Sequence, residues 1–491
     1  MKRVLPIFAI LFSPALYAQN VGIGTNNPAH LLDVNGNTNS KEYRLFGKTI
    51  LKVSALNTGS YSNTFIGDSA GANNTASRNT FAGGEAGKEN TSGTLNVAFG
   101  SRALQNNVSG SNMAAIGASA LVSNTTGRYN TAVGYYSLAA NIDGDNNTAS
   151  GYFCLSDNTT GGNNTAYGGQ ALTANTIASN NIAIGYAAMY YTTSGGSNVA
   201  VGKMAMFNNT TGFGNTAIGH EAGYENTIAN YNTAVGYKTL SNNISGTQNT
   251  ALGMNSLLVN TTGANNAAVG GSLANNSSGE GNSALGKFSL TTNITGDYNT
   301  GIGFNADVLG SGYTNATAIG YNAVVNGSNR VRVGSTAVFS IGGQVGWTTF
   351  SDARYKQNIQ SNVPGLAFIK KLQPVTYMVN VEGINNYYHE KRNGKNISDT
   401  KNQLTNPLAA TAIQSGFLAQ DVERTAKELG YDFSGVDKPD NNDELYGLRY
   451  DAFVVPLVKA VQEQQVMIDE LKRANELLTK KIAVLEQKIN N

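Results

Sequence analysis

From Asn63 onward the chain repeats one short pattern of small, branched and polar positions, seen most cleanly in NTAVGYYSLAANIDGDN at residues 130–146. Thr131, Ala132 and Val133 alternate ahead of Gly134, which predicts a short strand with side chains on opposite faces. Three residues after the glycine stands a small side chain, Ser137 here and Ala103, Ala120, Ala171, Ala188 or Ala205 elsewhere, usually followed by Leu or Met. Ten residues after it most units carry a second glycine, such as Gly127, Gly161, Gly246 or Gly263, within turns like NTTG and NISG. Asn and Gly there suit a corner of left-handed backbone. The first glycines run from Gly67, Gly83 and Gly100 to Gly320; thirteen of the fifteen spacings are 17 residues and two are 16. A fixed period of this length predicts a solenoid in which each coil buries its apolar side against its neighbours. The expected fold is therefore mainly β, a parallel β-solenoid (β-roll) of 17-residue coils over residues 63–325.

Two further observations fit that pattern. No proline occurs between Pro28 and Pro364, as expected where nearly every amide donates to a ladder between coils. Cys154 falls in the slot that holds Ala or Ser in other units, so it reads as a small buried filler rather than a reactive thiol.

The periodicity changes past residue 325. Residues 326–350 alternate again and read as a closing β-segment carrying Trp347. Beyond them, LAFIKKLQPVTYMV, SGFLAQDVERTAKELG and LYGLRYDAFVVPLVKAVQEQQ mix helix and strand periods, as a small α+β domain over 351–453 does. From Val454 the core positions advance in steps of three and four through Leu457, Val461, Gln464, Ile468, Leu471, Asn475, Leu478, Ile482, Leu485 and Ile489. This predicts a coiled coil over 454–491. Ile and Val at one core position with Leu at the other favour two strands in isolation, while Gln464 and Asn475 layers can also be accommodated in three.

Composition narrows the function. The chain has 491 residues, of which 13% are charged and 57 are glycine, a profile that suits repetition better than a compact enzyme. A formal net charge of +2 offers no field for nucleic acid, and no nucleic-acid partner is expected. The opening MKRVLPIFAILFSPALYAQN places Lys2 and Arg3 before an apolar run ending in small residues, the layout of a signal peptide over 1–18 cut after Ala18. Export to the extracellular space or cell surface follows, and no later run of about 18 apolar residues predicts a transmembrane segment. The lone Cys154 allows no intrachain disulfide. Residues 19–62, with NVGIGTNNPAHLLDVNGNT, have tight-turn punctuation and are expected to start or cap the solenoid.

Candidate chemistry is sparse. His30, His220 and His389 lie far apart, and HEKR at His389 lacks the second histidine of a zinc helix, so neither a metal site, a cofactor nor a Ser/His/Asp triad is expected. Asp143/Asp145 and Glu221/Glu225 fall within single units and read as solvated turns rather than the paired carboxylates of a glycosidase. Thr131, Thr148 and Thr165 are followed by Ile182 and Val199, so the rows read as packing rather than an ice- or crystal-binding face. The Asn-x-Ser/Thr triplets follow from repeat composition. In SDARYKQNI, residues 351–359, the serine or aspartate is a natural helix cap; alternatively Ser351 is a nucleophile with a lysine as its base.

Two family resemblances sharpen this reading. The xAxGxxAL units are similar to the head repeats of trimeric autotransporter adhesins, which implies a left-handed parallel β-roll with three chains side by side. That family's repeat is usually somewhat shorter, and its C-terminal membrane β-barrel is not expected here. Four motifs carry the second: Ser351-Asp352-x-Arg354-x-Lys356-x-Asn358-Ile359, Pro374-Val375-Thr376-Tyr377, Gly416-Phe417-x-Ala419-Gln420-Asp421-Val422, and Tyr450 followed by Leu457-Val458-x-Ala460-Val461-Gln462. In this order they resemble the intramolecular chaperone auto-processing domain that ends phage tail spikes, endosialidases and many secreted bacterial fibre proteins. NVGIGTNNPAHLLDVNGNT resembles the opening segment of such fibre proteins.

The resemblance implies a domain that drives trimerisation and then cuts itself off, with Ser351 as nucleophile, Lys356 as base and the cut between Phe350 and Ser351. Asp352, Arg354 and Asn358 would support it, and Arg354 together with burial in the trimer would lower the pKa of Lys356. The expectation is a secreted or surface homotrimeric, adhesin-like fibre with no other enzymatic activity. Its partners are its own copies and a cell-surface or extracellular glycan or protein. Alternatives are a glycan-degrading or glycan-binding spike, or a C-terminal domain retained uncut as a trimerisation clamp.

Overall fold

The computed structural model describes residues 21–23, 32–34, 42–45, 48–54, 62–391, 411–441 and 444–490. The expected signal peptide and His30 lie outside the described residues. The chain divides into two compact units, Met1–Asp143 and Gly144–Asn491.

In the first unit Val21–Ile23 pairs in parallel with Leu32–Val34. Glu42–Leu45 pairs antiparallel with Lys48–Ser54, which pairs antiparallel with Asn63–Ile66. From there every pairing is parallel and joins one coil to the next, through Thr80–Ala82, Val97–Phe99, Ala114–Ile116 and Thr131–Val133. The second unit by itself has the same construction from Thr148–Ser150 to Val331–Val333, with Ala149 opposite Ala166 and Ala183 opposite Ala200. This is the parallel β-solenoid of 17-residue coils that the repeat predicts.

Each coil is built by the same division of labour. The middle residue of the strand points inward, so Ala132, Ala149 and Ala183 are fully buried while their neighbours face outward. The first glycine of all sixteen units has φ between 88° and 145°. A Cβ at Gly168 would also stand 2.6 Å from the carbonyl oxygen of Gly185 in the next coil, so both backbone angle and close stacking require glycine. The second glycine differs from expectation, because Gly161, Gly246 and Gly263 are not left-handed. They are glycines for lack of space: a Cβ at Gly263 would lie 2.5 Å from both Asn260 Oδ1 and the Gly279 carbonyl oxygen.

Left-handed backbone is found at asparagines such as Asn112, Asn146 and Asn180, as expected, and also at leucine and methionine. Leu104, Leu121, Leu172 and Met189 sit at φ of 51–52° with their side chains buried. That backbone costs about 1–2 kcal/mol, and burying the side chain returns about 1.5–3 kcal/mol. Other asparagines of each coil, such as Asn243, Asn249, Asn260 and Asn266, are buried rungs. Asn260 Nδ2 donates to Asn243 Oδ1 of the preceding coil at 2.9 Å and to its own coil's Gly263 carbonyl at 2.9 Å. A second row runs beside the strands, where Asn249 Oδ1 accepts from the Asn266 amide at 3.0 Å. Several asparagines of the Asn-x-Ser/Thr triplets, Asn124 and Asn260 among them, are fully enclosed in these ladders.

Past Val331–Val333 residues 334–350 form no regular strand. The α+β region then contains a short helical turn at Ala353–Tyr355, α1 (Leu366–Ile369), α2 (Val381–Lys391), α3 (Ala419–Glu428) and α4 (Val454–Ile489). Val375–Tyr377 pairs antiparallel with Gln414–Gly416, and Val436–Asp437 with Gly447–Leu448. Phe368, Val422, Ala426, Phe433 and Phe453 form its core. Glu463 of α4 accepts from the Leu366 amide at 2.7 Å, which ties the long helix to α1. Among the described residues no helix is long and apolar enough to cross a membrane.

Candidate active site

The turn at Ala353–Tyr355 is capped by Asp352, whose Oδ1 accepts from the Arg354 amide at 2.9 Å. The same carboxylate takes the Arg354 guanidinium in a two-pronged pair, with Nη2 at 2.6 Å and Nε at 3.1 Å. The guanidinium holds the Asp352 carboxyl below its ordinary range, and the carboxylate raises Arg354 in turn. Because capping falls to Asp352, Ser351 is left on the outer side of the turn. Lys356, one turn further on, places Nζ 2.7 Å from Ser351 Oγ. An amine at that distance is positioned to take a hydroxyl proton.

The structure brings Ser351 to Lys356 and Asp352 to Arg354. Phe350, Ser351 and Lys356 are all solvent-exposed in the single chain. Asn358 sits at a bend with φ of 51°.

The other quoted motifs meet one another. The strand Val375–Tyr377 lies against Gln414–Gly416, and the Phe417 amide donates to the Tyr450 hydroxyl oxygen at 3.1 Å. Gly416 admits no side chain because the Tyr450 hydroxyl occupies that space. Tyr377 and Tyr450 interact, and burial followed by this contact raises the Tyr377 hydroxyl pKa.

The remaining candidates are structural. Glu221 pairs with Lys238 at 3.3 Å, and Glu225 accepts from Asn208 at 2.8 Å. His220 stacks on Tyr237 with ring centres 5.5 Å apart, and His389 lies in the last turn of α2. Among the described residues no group of three or more His, Cys, Asp or Glu could hold a metal ion. Sequence reasoning also missed the contacts between the last coils and the region beyond residue 351, which no motif signals.

A parallel β-solenoid leads into a small α+β region and a long C-terminal helix, with the Ser351–Lys356 pair at the entrance to that region. Residues 351–431 match the family model described as chaperone of endosialidase, and with the preceding solenoid this fits a tail-spike- or endosialidase-like protein. Comparison with curated proteins gives no match.

Proposed function

We propose that the chain is a secreted or surface homotrimeric fibre whose C-terminal domain directs trimer folding and then cuts the chain between Phe350 and Ser351. The observation that carries the cutting step is the 2.7 Å contact of Lys356 Nζ with Ser351 Oγ inside the matched region. Neutral Lys356 takes the Ser351 Oγ proton, and Oγ attacks the Phe350 carbonyl carbon. The C–N bond breaks as the Ser351 nitrogen takes a proton back, which leaves an ester. Water then hydrolyses the ester to a Phe350 carboxylate and a free Ser351 amine.

Ser351 and Lys356 are both solvent-exposed in the single chain, and enclosure of the pair by neighbouring copies would supply the desolvation that favours a neutral amine. The trimer is supported by two uncovered apolar faces. On α4, Ile468, Leu471, Leu478, Ile482 and Leu485 are exposed along one heptad seam. On the coils of the second unit, Tyr167, Ile184, Ile218 and Leu252 stand exposed on the outer side of their strands.

Intact mass with N-terminal sequencing of the wild type and Ser351→Ala tests the reading. The expected result is a wild-type fragment beginning at Ser351 that is absent from the variant. A single uncut wild-type chain would leave the domain as a retained trimerisation clamp.

A further inference from the structure

The Phe350–Ser351 bond is not the only connection between the two sides of the junction. Upstream of it, Arg330 closes the last coil; downstream, Glu444 precedes the hairpin strand Gly447–Leu448. Arg330 Nη2 lies 2.7 Å from Glu444 Oε2, with side-chain exposures of 21% and 5%. The carboxylate is also held from its own side, accepting from the Asp440 amide at 3.1 Å and from Asn441 Nδ2 at 3.0 Å. It is thus fixed in place before the arginine meets it. Beside this pair Tyr388 of α2 packs on Leu309 and Val324 of the last coils. Thr336 Oγ1 donates to Asn385 Oδ1 at 2.7 Å.

We propose that a cut at Phe350–Ser351 does not release the C-terminal fragment: it stays seated on the terminal coil as a non-covalent cap, latched by Arg330 and Glu444 and by the Tyr388 seam. The proposal rests on the reading that the chain cuts itself. A terminal coil otherwise presents unpaired strand groups and an open apolar end, and solenoids need such an end covered. Glu444 is nearly enclosed, so removing Arg330 leaves an uncompensated buried charge and speeds dissociation. In a trimer three latches act together, and the three fragments joined by α4 leave only when all have opened.

The test uses the full chain carrying Ser351→Ala and a site-specific protease sequence inserted between Gly342 and Gly343, so that the cut does not depend on Ser351. After cleavage, gel filtration should show both fragments eluting together. Arg330→Glu should release the C-terminal fragment at least about tenfold faster, and Arg330→Glu combined with Glu444→Arg should restore retention, which a merely misfolded variant would not. Separation of the parent fragments, or release unchanged by Arg330→Glu, would overturn the latch. A wild-type chain that never cuts itself would sink the self-processing reading while leaving this result standing.

Discussion

Thr192 stands where every neighbouring coil has a ladder asparagine, and it leaves the row one rung short. Toward the preceding coil Asn209 Nδ2 meets a hydroxyl, Thr192 Oγ1 at 3.4 Å, beside its own coil's Gly212 carbonyl at 3.2 Å, and the buried Asn175 Oδ1 has no partner. A buried acceptor left unpaired costs about 1–3 kcal/mol, so Thr192→Asn should stabilise this stretch by roughly 1 kcal/mol or more. Hydrogen exchange of amides in residues 172–212 should slow several-fold; unchanged or faster exchange would refute the ladder account. Cys154 offers a second measurement at this scale. Burial pushes its thiol up to about 12, and its Sγ lies 3.3 Å from the Ala166 carbonyl oxygen. At pH 8 only about one thiol in ten thousand would be ionised, so maleimide should label unfolded but not native protein. The filler role of Cys154 was legible from its slot in the repeat. The enclosed asparagines and left-handed leucines were not, because asparagine in a corner looks like a turn residue and a hydropathy pattern carries no φ.

Among the elements, α4 depends most on what lies outside the single chain. It is 36 residues long, about 54 Å at 1.5 Å per residue. Only its first turns pack on α1, through Glu463 and the neighbourhood of Ala460. Leu471→Asp with Leu478→Asp places two carboxylates on the seam and forgoes about 1.5–3 kcal/mol of burial per leucine in each chain. The double variant should sediment as monomer, lose helical signal and stay uncut although Ser351 and Lys356 are intact. Monomers that still cut would show that assembly does not gate the reaction. The seam is legible in the sequence because its three-and-four spacing runs unbroken from Val454 to Ile489. By contrast, α2 is hidden: VEGINNYYHEK holds a glycine and two asparagines, poor helix formers. Its contact with Leu309 and Val324 depends on residues some seventy positions away.

For the molecule as a whole, repetition creates a problem of alignment. Under the proposed trimer, neighbouring chains meet along outer rows such as Tyr167, Ile184, Val201 and Ile218, and a slip of one 17-residue coil presents nearly the same row. Side-by-side packing alone therefore separates correct from slipped registers by little more than the loss of one coil at each end. Several features at the C-terminal end occur once per chain: the Arg330–Glu444 contact, the Tyr388 seam, and the Gln464 and Asn475 layers of α4, since single polar core layers fix register in coiled coils. A chain synthesised only as far as Phe350 should consequently assemble into a broad mixture of slipped and aggregated species. The same polypeptide produced by cutting an assembled full-length chain should remain a uniform trimer. Sedimentation velocity makes the comparison between fibre polypeptides of identical covalent structure, the cut one measured after its seated C-terminal fragment has been stripped off: a broad distribution against a single boundary is the expected outcome. Matching single boundaries would mean that the coils align themselves and that the terminal domain serves another purpose.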